Sequence, residues 1–199
     1  AGIVDSRLNE YKETLTGQIA EQETLLAAIA ETIARGGADT ITESIIRDCT
    51  LSERASFDDL LGRLNSSLSY SQLVELERLF GRCASFFSER KSVMSARFAR
   101  EIEVYENHVI QLSAIDGNDL SEKYSVDSWH ALAAEEQKQN ELFTELVQLQ
   151  EEIIKTLLEG SSIDSTEIVD ILTRVSEVQG ILAVSSQQAA AIRSELVSL

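Results

Sequence analysis

The chain has 199 residues, 43% of them hydrophobic, with no proline and nine glycines. β-Sandwiches and α/β folds spend more of both residues on turns. The Leu-, Ala-, Glu-, Ser- and Ile-rich remainder, with 6% aromatics, is the composition of long helices. The formal net charge of −17 repels nucleic acid and anionic headgroups, which sets nucleic-acid partners aside. No apolar run reaches the roughly 18 residues of a transmembrane span, and no signal peptide opens the chain.

A first apolar stripe runs Val4, Leu8, Tyr11, Leu15, Ile19, Leu26, Ile29 and Ile33, with Gln22 in its one gap. Steps of three and four place these residues on one face of a helix over 3–35, which Arg35 and Gly36-Gly37 should end. Thr40 and Glu43 form a capping box opening a helix over 40–49 that carries Ile41, Ile45 and Ile46 and ends near Cys49. Within 50–68 a short helical piece sets Phe57, Leu60, Leu61 and Leu64 on one side before Asn65-Ser66-Ser67 breaks it.

Ser69 and Gln72 make a second capping box. The helix behind it, 69–115, carries Leu73, Leu76, Phe80, Cys83, Phe87, Met94, Phe98, Ile102, Tyr105, Leu112 and Ile115. At about 1.5 Å per residue it would span roughly 68 Å. A compact domain of this size is about 40 Å across, so an elongated molecule is expected. Asp116-Gly117-Asn118-Asp119 is the next turn. A helix over 125–159 follows, with Val126, Trp129, Leu132, Phe143, Leu146, Leu149, Ile153 and Leu157 on its stripe and a stretch from Glu135 to Glu141 that is polar on every side. After Gly160-Ser161-Ser162, Asp164 is the expected cap, with Glu167 at the reciprocal position, of a last helix over 165–199. Its residues Ile168, Ile171, Val175, Val178, Leu182, Ser185, Ala189, Ile192, Leu196 and Leu199 alternate three and four without a miss, as a coiled-coil seam does. The short turn predicts that this seam packs antiparallel on the helix before it. The polar stretch would then lie opposite Ser185 and Ala189. The stripe of the first helix could cover the same seam. The fold expected is all-α: one elongated antiparallel bundle of coiled-coil hairpins with about five helices in a single domain, 1–199.

The candidate chemistry is sparse. Cys49 and Cys83 are the only cysteines. As one disulfide they would close a loop of about 35 residues and stabilise by roughly 4 kcal/mol, which requires an oxidising compartment; reduced core cysteines are the alternative. A basic segment, Arg78, Arg82, Arg90, Lys91, Arg97 and Arg100 with Glu89 as its single acid, either pairs with acidic helices of the same chain or offers a docking patch to an acidic partner. Asp127 and His130 stand one turn apart, but the residue three before His108 is Tyr105, so the twin Glu-x-x-His pattern of di-iron bundles fails. His108 reads as a hydrogen-bonded core histidine and Trp129 as a core anchor. No nucleophile, phosphate-loop or dinucleotide motif occurs, and no catalytic, cofactor or metal residue is assigned. Asn65-Ser66-Ser67 matches a glycosylation acceptor, a tripeptide that arises easily by chance.

The function expected is therefore non-enzymatic: a structural or protein-interaction bundle that self-associates or binds a protein through its seams. The sequence opens without Met and closes in mid-pattern, suggesting flanking segments and an extracytoplasmic, membrane-tethered protein. Two other readings fit the same residues, a cytoplasmic coiled-coil adaptor or chaperone and a ligand-sensing helical ectodomain of a receptor.

Overall fold

The computed structural model describes residues 2–35, 53–64 and 68–197. The described chain forms α1 (Gly2–Arg35), α2 (Arg54–Gly62), α3 (Tyr70–Asp116), α4 (Val126–Leu158) and α5 (Thr166–Val197), with no strand among the described residues. The protein is an all-α helical bundle. The helix expected over 40–49, the Gly36-Gly37 stop, Cys49 and the Asn65-Ser66-Ser67 tripeptide lie outside the described residues.

The helix ends follow from local chemistry. At the start of α3, the Gln72 amide donates to Ser69 Oγ at 3.2 Å and the Ser69 amide donates to Gln72 Oε1 at 2.9 Å, the reciprocal capping box. The helix then runs 47 residues without a break; Gly81 costs helix propensity but does not interrupt it. Helix α4 ends on Gly160, whose φ of 97° is a left-handed conformation that a Cβ would oppose. Its amide bonds to Leu157 O and the next amide, from Ser161, reaches Thr156 O, the paired bonds of a Schellman motif. The cap of α5 differs from expectation. The Ser165 hydroxyl, not Asp164, accepts from the Ile168 amide, at 3.4 Å. Asp164 is drawn into the preceding turn, with its amide donating to Ser162 Oγ, so the helix starts one residue later and Glu167 has no reciprocal role.

The chain divides into two compact units. Unit 1 holds Ala1–Gly37, Ala96–Ala134 and Ala191–Leu199; unit 2 holds Ala38–Ser95 and Glu135–Ala190. In unit 2, Phe57, Leu60 and Leu64 from the α2 region pack with Leu76, Leu79 and Phe80 of α3, Ile153 and Ile154 of α4 and Ile171 of α5. Burying one such side chain is worth roughly 1.5–3 kcal/mol, so this cluster contributes substantially to the stability of the unit. Arg174 of α5 bonds Glu145 of α4 at 2.6 Å, and Ser185 bonds Glu135 at 2.6 Å. Stepping back along α4 thus steps forward along α5, so the two are antiparallel. The α5 seam is buried as expected at Ile168, Ile171, Val178, Ser185 and Ala189.

In unit 1, Trp129 of α4 is fully buried against Tyr105 of α3, with ring centroids 5.6 Å apart and planes at 60°. Tyr105 Oη donates to the Tyr124 carbonyl at 2.8 Å, and burial pushes its hydroxyl pKa up. Helix α1 joins this unit through its second half, where Leu26 and Ile33 are each 1% exposed. Its first half departs from expectation: Ile3, Val4, Leu8 and Tyr11 are 72%, 62%, 51% and 63% exposed. The stripe is helical, but among the described residues no element is laid over it.

Candidate functional site

Two features of this molecule go beyond ordinary packing. One is a buried polar layer in unit 2. The other is the open half of the α1 stripe.

The polar layer arises where the α4 stripe crosses its polar stretch. Between Leu132 and Phe143, steps of four and three land on Glu136 and Gln139, and both are buried. Sequence reading noted that the stretch was polar but missed that its core stations are filled by these two residues; the unbroken spacing was the available signal. Lys91 of α3 is also buried, and its Nζ donates to Asn140 Oδ1 at 2.6 Å while lying 5.5 Å from the Phe143 ring centroid. Asn140 Nδ2 donates in turn to Ser95 Oγ. On the α5 side, the fully buried Ser185 donates to Glu135 Oε2 at 2.6 Å. Polar groups in a low-dielectric interior must be paired to be tolerated, and Lys91 with Asn140, Asn140 with Ser95 and Ser185 with Glu135 are so paired. Gln139 Nε2 has no hydrogen-bond partner among the described residues. Chemically the layer can fix which residues face which, since a shift in register would break the Lys91–Asn140 and Ser185–Glu135 pairs.

The cations singled out in the sequence are dispersed. Arg78 bonds Glu75 at 2.6 Å and Glu53 at 3.1 Å. These carboxylates hold its guanidinium pKa above the usual range, and Arg78 in turn holds the Glu75 carboxyl below its own. Arg97 bonds Glu101 at 3.1 Å, and Arg90 lies 4.7 Å over the Phe86 ring. Arg82 and Arg100 are exposed. Because Lys91 is buried, the six do not share one surface patch.

Cys83 is half-buried on α3, and Cys49 lies outside the described residues. His130 Nε2 sits 2.6 Å from Glu106 Oε2 on α3, across the helix pair rather than one turn away at Asp127. His108 Nδ1 is 2.7 Å from Gln22 Oε1 of α1. The one polar station on the α1 stripe thus meets the histidine on the α3 seam, and each accounts for the other. Among the described residues no three His, Cys, Asp or Glu side chains group as a metal site. An open cavity of about 530 Å³ at the α3–α4 corner is lined by Glu106, Val109, Ile110, Ser113, Gly117 and Val126 among others. Trp129 is not in its wall. Ser113 Oγ there already accepts from the Leu120 amide and donates to Val109 O, so its hydrogen bonds serve the corner itself.

The α1 stripe is the remaining feature. Val4, Leu8 and Tyr11 continue, in helical register, the same line that Leu26 and Ile33 bury in unit 1. Charged neighbours flank it: Asp5, Arg7 and Lys12 are all exposed. Compared with known proteins, the chain matches no family model, no curated protein and no solved structure.

Proposed function

We propose that this chain is a non-enzymatic protein-interaction bundle that works by presenting a helix face to another polypeptide. The observation that carries the reading is the amino-terminal half of α1, where Ile3, Val4, Leu8 and Tyr11 are all more than half exposed. Single exposed apolar side chains are normal on any protein surface. Contiguous ones are rarer and mark interaction sites. Val4, Leu8 and Tyr11 occupy successive stations of one stripe, at the three-and-four spacing by which helices pack, with Ile3 beside them. A helix laid along that line would bury it in the way unit 1 buries its continuation, the helix-in-groove mode of recognition. The polar pairs of unit 2, Lys91 with Asn140 and Ser185 with Glu135, support the same reading, because they join neighbouring helices of the bundle rather than line a reaction site.

The test is a photo-crosslinking residue at position 8, with a control at Glu13 on the far side of the helix, in the cells that produce the protein. The reading expects a covalent adduct of Leu8 with a second polypeptide and none from Glu13. Absence of any adduct at position 8 would overturn it.

Location forms a second part of the proposal: an extracytoplasmic protein in which Cys83 bonds Cys49. The support is that Cys83 is not a free thiol and Cys49 is the only other cysteine in the chain. Structural disulfides persist in oxidising compartments. Mass spectrometry of alkylated, unreduced protein should find neither thiol modified; two alkylated thiols would place the chain in a reducing compartment.

A further inference from the structure

We infer that the partner on the exposed half of α1 is a second copy of the same segment, running antiparallel. The inference rests on the docking reading above and adds the occupant and its direction. The argument is one of register and charge. Val4 and Tyr11 fall seven residues apart, as do Leu8 and Leu15, and the two pairs interleave by steps of four and three. That is the a/d pattern of a two-helix seam, with Val4 and Tyr11 at d, Leu8 and Leu15 at a. The flanking positions follow: Asp5 and Lys12 at e, Arg7 and Thr14 at g. All four are exposed.

Flanking charges set the orientation of paired helices. In a parallel pair, g of one helix meets the next e of the other, which brings Arg7 against Lys12 twice, like charge on like. In an antiparallel pair, Leu8 faces Tyr11 of the other copy and Val4 faces Leu15. The e positions then lie on the same side of the seam, so Asp5 meets Lys12 twice with opposite charge, while Arg7 meets the neutral Thr14. Antiparallel self-pairing gives Asp5 and Lys12 opposite charges and sets Arg7 against no like charge; parallel pairing sets both cations against each other. Self-pairing of so acidic a chain also needs a segment that is locally near neutral. Residues 2–15 carry Asp5, Glu10 and Glu13 against Arg7 and Lys12, within a chain of net charge −17. The contact is isologous, with the same patch on both copies, and so closes as a two-fold dimer. Two heptads make a short seam, under the ~1,200 Å² of standard stable interfaces, so the dimer forms and dissociates with concentration.

Sedimentation velocity on the full chain, from low micromolar to about millimolar concentration, tests the inference. The native chain should shift from monomer to dimer across that range. Leu8→Asp should remain monomeric with an unchanged thermal midpoint, since Leu8 is exposed in the isolated chain. Lys12→Glu sets Asp5 against a new carboxylate and should weaken the dimer roughly tenfold, the product of two ion pairs replaced by two repulsions. Asp5→Lys combined with Lys12→Glu restores opposite charges and should recover the native dissociation constant. A chain that stays monomeric throughout overturns self-pairing, as does a dimer untouched by Leu8→Asp. A dimer strengthened by Lys12→Glu overturns the antiparallel direction, because that change turns the parallel Arg7 contact attractive. If self-pairing fails while position 8 still crosslinks a different protein in cells, the docking reading survives and only its occupant is wrong.

Discussion

The two halves of α1 carry one continuous stripe and meet opposite fates. From Gln22 onward the helix is committed to unit 1, with Leu26 and Ile33 sealed from solvent and Gln22 bonded to His108. From Ile3 to Tyr11 the same face lies open. Nothing in composition separates them, since both halves alternate apolar and polar residues at the helical period. The difference is whether, among the described residues, another element passes over the face. Periodicity specifies which side of a helix must be covered; it is silent on what covers it. An amphipathic helix whose stripe outruns its cover is therefore the feature on which the proposed docking reading rests.

Substitution can sharpen the contrast, beginning with the largest effect. Leu26→Asp would place an uncompensated charge among fully buried neighbours and should destabilise unit 1 by about 3–5 kcal/mol, read as a drop in the denaturant midpoint. Leu8→Asp in the same helix should leave that midpoint unmoved. Equal losses from both would show that the first half is covered after all. Val178→Asp, on the α5 seam, belongs with Leu26 because Val178 is fully buried. Next in size is the polar layer. Asn140→Ala removes the carbonyl that accepts from Lys91 and the amide that donates to Ser95, and should cost about 1–3 kcal/mol, mostly for the buried Lys91 ammonium left without that acceptor. Smaller again, Gln22→Ala removes the partner of His108 at the point where α1 enters the core, at a cost of about 1 kcal/mol. Smallest is Arg78→Ala, which loses contacts only to exposed carboxylates and should leave the thermal midpoint within its experimental error.

The helices were legible because their signals are local. The Ser69–Gln72 box, the Asp116–Asp119 turn and the Gly160 turn each act within a few residues, so α3 and α4 begin and end within one residue of expectation. Antiparallel packing of α4 on α5 was legible too, because a short connection leaves little choice. Asp164 was misread because Ser165 beside it is an equally good cap, and the choice between them depends on the preceding turn. The polar layer was half legible: Glu135 to Glu141 stood out, but which of those side chains point inward depends on the phase of α4 against its neighbours. Lys91 counts in the sequence with a basic segment that either pairs with acidic helices or offers a docking patch, because charge counts carry no information on burial; its approach to Asn140 joins positions 49 residues apart. The open half of α1 was not legible at all, since a stripe reads the same whether it is covered or bare.

Hydrogen exchange along α1 as a function of protein concentration tests the central claim most directly. Amides that open locally exchange fast, and burial against a partner slows them. The account predicts that at low micromolar concentration residues 3–15 exchange much faster than residues 26–33, and that raising the concentration slows the first group while leaving the second unchanged. Equal protection of both halves at the lowest concentration would contradict it, as would an unprotected first half whose exchange rate is the same at every concentration.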